Sequence, residues 1–220
     1  MALKRRVILG AALAALSAVA SSVGCRPQAS AEPSTAAPYS QTSVAINSPT
    51  LKLVINAAVE QTEYTVFYDP AYVKLRYPGG DVPRERGVCS DVIVRAFRKA
   101  GVDLQKEVHE DMKRSFSAYP QKWGLRGPDP NIDHRRVPNL MTFFRRVNKE
   151  IRLSSEAADY LPGDVVAWDL GNGLLHIGIV SNVTERAGTR FNIVHNIGSG
   201  ARIEDVLFSW KIIGHYRYFN

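Results

Sequence analysis

Cysteine is scarce in this chain: there are two among 220 residues, Cys25 and Cys89. Cys25 falls in the leader or on the segment behind it, so Cys89 stands alone in the folded part, and a disulfide framework is excluded there. Exported proteins tend to pair their cysteines. A lone thiol in such a chain is either an inert small hydrophobe or a reactive group, and the count leaves both open. A spanning helix is also missing. The apolar run over residues 7–20 is shorter than the roughly 20 residues a bilayer demands. The net charge of +7 does not form a concentrated basic stripe. Lys4, Arg5, Arg6 and Arg26 belong to the leader or its flank, and "HRR" and "FRR" are short. No base-reading or stacking motif accompanies them, which excludes nucleic acid as a partner. The Cys/His spacing matches no zinc site, so neither a metal nor a cofactor is implied. No internal repeat is present.

What is present begins with a leader. "MALKRRVILGAALAALSAVASSVGC" has a basic start and an Ala-rich apolar run, the layout of a secretory signal over residues 1–25. "AVA" suits an ordinary signal peptidase. "SVGC" resembles a bacterial lipoprotein cleavage box that would lipidate Cys25, with Ser22 where such boxes usually carry Leu. Residues 26–50 are rich in Pro, Ser, Ala and Thr without periodicity, and read as a disordered tether. Residues 51–220 then form one domain of a size that supports a proper core.

Helical patterns fill the first half of that domain. "LKLVINAAVE" and "LQKEVHEDMKRSF" read as helices, and "PNLMTFFRRVNKE" has Pro138 in its first turn. In "VCSDVIVRAFRKAG", Val92, Ile93, Ala96, Phe97 and Ala100 make one apolar stripe that stops at Gly101. After Tyr160 the character changes. "GDVVAWDL", "LLHIGIVSNV", "RFNIVHNIG" and "IIGHYRYF" are β-branched and aromatic, separated by turn residues. "IEDVLFSW" reads as a helical turn before the last strand. Helices followed by an antiparallel meander predict an α+β fold, with helices packed on a C-terminal sheet or half-barrel.

Cys89 opens its helix, where unpaired N–H groups and the macrodipole favour an anion. The expectation is a thiol pKa well below the free value of about 8.5. His176, inside an apolar strand, is the candidate base, and a satisfied structural histidine is the bland alternative. Gly178, two residues on, leaves room beside the ring for a substrate or another backbone. His195 and Asn196 on the next strand are rival orienters of His176, and alternation turns only one of them towards it. Tyr68 and Asp69 precede the loop leading to Cys89 and are candidates for completing a cleft. Asp91 is either a helix-start charge or a substrate contact. Arg135 and Arg136, on a long loop, either clamp a substrate carboxylate or belong to a solvated loop with a helix cap. His109 and His215 lack a partner pattern and read as structural.

A Cys–Ser pair opening a helix, "PGDVVAW" leading into the sheet, "HIGIV" on the next strand and "IVHN" after it resemble the NlpC-like cysteine peptidases of bacterial cell walls. These are circularly permuted relatives of the papain fold. The resemblance covers roughly residues 51–219 and implies Cys89, His176 and His195 as the catalytic set. "YDPAY", "YPGGDVPRERGVCSDV", "NIDHRRVPNL" and "GHYRY" are similar to one bacterial family within that superfamily, catalogued only as a domain of unknown function. The chain departs from the superfamily at Val88 and Asp91, where Asp and Gly-Phe are usual around Cys-Ser.

The resemblance implies an exported cysteine hydrolase of amide bonds in peptidoglycan stem peptides, acting through a thioester. The alternatives are an acyltransferase using the same thioester and a non-catalytic envelope-binding lipoprotein. The expected partners are peptidoglycan or a peptide, and the membrane only through a lipid anchor. The expected state is a monomer in the periplasm or tethered in the envelope. If Cys25 is lipidated, metabolic labelling with a fatty acid marks the wild type and not Cys25→Ser. Equal labelling, or none, removes the anchor and leaves a soluble exported protein.

Overall fold

The computed structural model describes residues 43–220; the leader, the tether as far as residue 42 and Cys25 lie outside the described residues. Regular pairing starts before the expected boundary at residue 51. Ser43 bridges Val183, and the Val44 N–H donates to the Asn182 carbonyl at 2.8 Å. Ser48 then caps helix α1, Pro49–Tyr64, by accepting from the Leu51 N–H. The same Ser and Pro that read as tether composition are helix-start chemistry: an oxygen for an orphan N–H, and a preset φ.

After α1 come two short strands paired in parallel, β1 (Phe67–Tyr68) and β2 (Arg86–Gly87). Three helices follow: α2 (Cys89–Lys99), α3 (Leu104–Ser115) and α4 (Val137–Arg146). The second half holds β3 (Val165–Asp169), β4 (Leu175–Thr184), β5 (Phe191–Asn196), β6 (Ala201–Glu204) and β7 (Lys211–Tyr216). These make one sheet in the order β6-β5-β4-β3-β7, with antiparallel neighbours throughout. The fold is α+β. Two details differ from expectation. Ile203 and Glu204 of "IEDVLFSW" finish strand β6 rather than open a helical turn. The last strand does not extend the meander; it returns to the opposite edge and pairs with β3.

The sheet's two faces bury different things. Ile177, Ile179, Val165 and Val194 meet Val92, Phe97, Leu140 and Phe144 from the helices in the main core. Trp168, Val166, Val180 and Ile193, on the alternate positions, pack with Tyr160 and Leu207 in a smaller one. Gly163, in "PGD", has φ +93°, and a Cβ there would come within 2.5 Å of the Leu51 side chain. Only glycine fits that turn into β3 without strain. Among the described residues no helix is long and apolar enough to cross a membrane.

One buried ion pair organises the loops over the start of α2. Asp91, in the first turn, accepts from the Val88 N–H at 2.7 Å and from Arg135 Nε and Nη2 at 3.0 Å each. Their side chains are 3% and 2% exposed, respectively. Asp91→Ala leaves a buried guanidinium unpaired and strips Val88 of its acceptor. The expected cost is about 3–5 kcal/mol of unfolding free energy in urea titrations, with Asp91→Asn losing less. A cost below about 1 kcal/mol, the range of surface pairs, contradicts this.

Candidate active site

Cys89 is the first residue of α2, because Arg86, Gly87 and Val88 are extended and the Val88 carbonyl already accepts the Asp91 N–H. The side chain is buried, 5% exposed, yet it borders a cleft of about 320 Å³. Tyr68, Trp123, Arg136, Pro138 and Leu174 line that cleft with it. Backbone N–H groups of Ile177, Ser90 and Cys89 itself hydrogen-bond towards the sulfur and favour the thiolate. Burial outweighs them. With Asp91 adding like charge, the thiol is pushed up to about 11. The expected depression is thus reversed in sign: loss of solvation exceeds what a helix start supplies.

His176 follows from register. It lies on β4 opposite Trp168, and its neighbour Ile177 offers the N–H to the Cys89 sulfur. The ring stacks on the Trp168 indole, with centroids 5.8 Å apart, and Trp210 packs edge-on at 5.8 Å. Buried between them, His176 is pushed down to about 3, mainly by desolvation and then by His195. Its Nε2 lies 2.8 Å from His195 Nδ1. The two strands are neighbours, and His195 sits diagonally across from His176 on the same face. A Cβ at Gly178 would meet Ile193 Cγ2 at 2.5 Å and His195 Cβ at 3.2 Å. The room beside the ring is therefore taken by β5, not by a substrate.

Asn196 points the other way. Its Nδ2 donates to the Gly87 carbonyl at 3.0 Å, and so holds the strand that leads into Cys89. Asp91, a helix-start charge or a substrate contact by sequence, takes the first role and pairs with Arg135, which also borders the cleft. Arg135 also donates to the Ala71 and Asp69 carbonyls at 2.9 and 3.0 Å. Asp69 is not a lining residue. Its carboxylate accepts from the Ala71 N–H and from Arg86, each at 3.0 Å, which holds its pKa below the usual range. Tyr68 does border the cleft; burial and then the nearby Cys89 raise its hydroxyl pKa, so it remains a proton donor. Arg136 borders the cleft too, its guanidinium 4.0 Å above the Trp123 ring.

Three residues escaped the reading of the sequence. Lys122 and Trp123 line the cleft from the long loop before α4, where no periodicity marks them. Glu204 accepts at 2.9 Å from His195 Nε2. Its signal was weak: recognising it required reading "ARIE" as a strand. Among the described residues no group of three or more His, Cys, Asp or Glu is placed to hold a metal ion.

Comparison with known proteins adds the following. Residues 55–218 match the family model described as a domain of unknown function, DUF1287. The uncharacterized protein YijF of Escherichia coli (strain K12) is 58% identical over 178 residues, which cover 81% of this chain and 86% of that protein. A solved structure from Staphylococcus aureus subsp. aureus Mu50, of a protein similar to lipoprotein of the NLP/P60 family, aligns with a TM-score of 0.40 at 14% identity. The alignment covers 84% of this chain but only 45% of that one.

The raised thiol has a direct readout. Alkylation needs the thiolate, whose fraction grows about tenfold per pH unit below the pKa. With Cys25 replaced by Ser, iodoacetamide labelling of folded protein rises steadily from about pH 7 to about pH 10 without levelling. A plateau near neutrality means that the site holds a standing thiolate instead.

Proposed function

This chain belongs to the DUF1287 family of domains of unknown function, and from the groups gathered around Cys89 we propose that it is a cysteine hydrolase of amide bonds. The observation that carries this is the His176–His195 hydrogen bond of 2.8 Å, together with a helix-start cysteine that borders a cleft and meets the backbone N–H of Ile177, the residue after His176. A nucleophile, a base and an orienter of the base are what acyl transfer to sulfur requires.

In this reading both partners rest uncharged at neutral pH, because burial opposes charge on each. The thiol proton moves to His176 Nδ1 as sulfur attacks the carbonyl carbon, not before. The carbonyl oxygen takes the electron pair and is met by N–H groups at the start of α2 and by the Tyr68 hydroxyl. The C–N bond then breaks, and the leaving amine takes the proton from His176. Water adds to the thioester, frees the carboxylic acid and restores the thiol.

The cleft suggests the substrate. Lys122 and Arg136 line it, whereas Asp69 and Asp91 are turned to other partners. Trp123 and Leu174 add apolar wall. A peptide with a free carboxylate near the scissile amide suits this surface, and peptidoglycan stem peptides are such peptides. The leader and tether agree with work outside the cytoplasm. The chain needs no cofactor in this scheme.

Mass spectrometry of purified peptidoglycan fragments tests the proposal. Wild type yields hydrolysed stem peptides, and Cys89→Ala yields none. Arg136→Ala raises KM for carboxylate-bearing fragments by about tenfold, as expected for a lost charge-assisted contact. Products that persist in Cys89→Ala, or that never form with wild type, overturn the hydrolase reading.

A further inference from the structure

We infer that Glu204 is a positioning residue that sets the tautomer of both histidines, so that His176 Nδ1 is left bare; that this nitrogen serves the thiol rests on the reading of His176 as the base. A carboxylate accepts hydrogen bonds and does not donate them. Glu204 Oε2 stands 2.9 Å from His195 Nε2, so that nitrogen carries the hydrogen. A neutral imidazole carries one, and burial keeps His195 on the neutral side. His195 Nδ1 is therefore an acceptor. The atom facing it at 2.8 Å, His176 Nε2, must donate. His176, also neutral, is left with an unprotonated Nδ1, the form a general base requires.

The surroundings leave this task to Glu204. Arg202 lies directly across from His195 on β6, but its Nε donates to the Ser199 hydroxyl. Asp205, next in the chain, is paired with Arg190. His195 is fully buried, and Trp210 packs against both rings, at 6.3 Å from His195 and 5.8 Å from His176. Without a carboxylate at the outer end, the opposite arrangement is equally available: His195 Nδ1–H donates to His176 Nε2, and the proton of His176 moves to Nδ1, where it blocks the base. When His176 does take the thiol proton, the same carboxylate offsets the positive charge one ring away.

Glu204 is 42% exposed, so its replacement leaves the fold and its thermal midpoint intact. The test is nitrogen NMR of the imidazole rings in the full-length mature protein, wild type against Glu204→Gln, since an amide both donates and accepts. Wild type is expected to show His176 protonated at Nε2 and bare at Nδ1. Glu204→Gln shifts His176 towards the Nδ1–H form, and kcat on peptidoglycan fragments falls about ten- to a hundredfold with KM unchanged. Glu204→Asp recovers part of the rate. Ring-nitrogen signals in Glu204→Gln that match wild type overturn the inference, whatever the rate. The NMR readout needs no turnover. A failure of the hydrolase reading, seen as activity in Cys89→Ala or none in wild type, is therefore distinguishable from a failure of this one.

Discussion

The guanidinium of Arg135 is the fixed point of the cleft. It is buried against Asp91, and its remaining donors hold the carbonyls of Asp69 and Ala71. Its own carbonyl accepts the Ser90 hydroxyl at 2.7 Å. One side chain thus ties the start of α2 to the segment that carries Tyr68 and to the loop that carries Arg136. Taking a charge out of water is costly unless it is paired and its donors are satisfied. Arg135 meets that condition only when all three segments are in place.

Desolvation governs the chemistry within that frame. Two indole rings pack against His176, and its Nε2 leads through His195 to Glu204. Burial drives the thiol up and the imidazole down. Both groups therefore rest neutral, and in the proposed reaction they become polar only as sulfur attacks. Such a site stores little charge at rest. The tryptophans matter here as dielectric, because they make the direction of each remaining hydrogen bond decisive.

The second arrangement that repays comparison is the turn into the sheet. Asp164 of "PGD" is buried and accepts from His215 at 2.8 Å and from Arg217 at 2.7 Å. His215 stacks on Tyr160 with centroids 4.1 Å apart. The loop before β3 is thereby locked to β7, the strand that crosses back to the far edge of the sheet. Asn196 does similar work at the other end by holding Gly87 just ahead of Cys89. Polar residues that read as catalytic rivals or as bystanders are fasteners, and they fix strand ends relative to the helix that carries the thiol.

The sequence by itself determined the α+β class and most of the elements. Helical stripes, a change to β-branched runs after Tyr160, and a lone cysteine at a helix start are local signals, set by periodicity and capping within a few residues. Alternation along β5 also reduced the orienter of His176 to one of two neighbours. The tertiary structure decided the rest, because the deciding quantities are relations between distant segments. Which face of β5 meets β4 selected His195 over Asn196. The partner of Asp91 lies 44 residues away, and no local signal marks the buried pair it forms with Arg135. Burial by Trp168 and Trp210 moved the histidine against its ordinary value, and the enclosure of Cys89 reversed the expected shift of its thiol. No periodicity encodes desolvation: it exists only once the walls have packed.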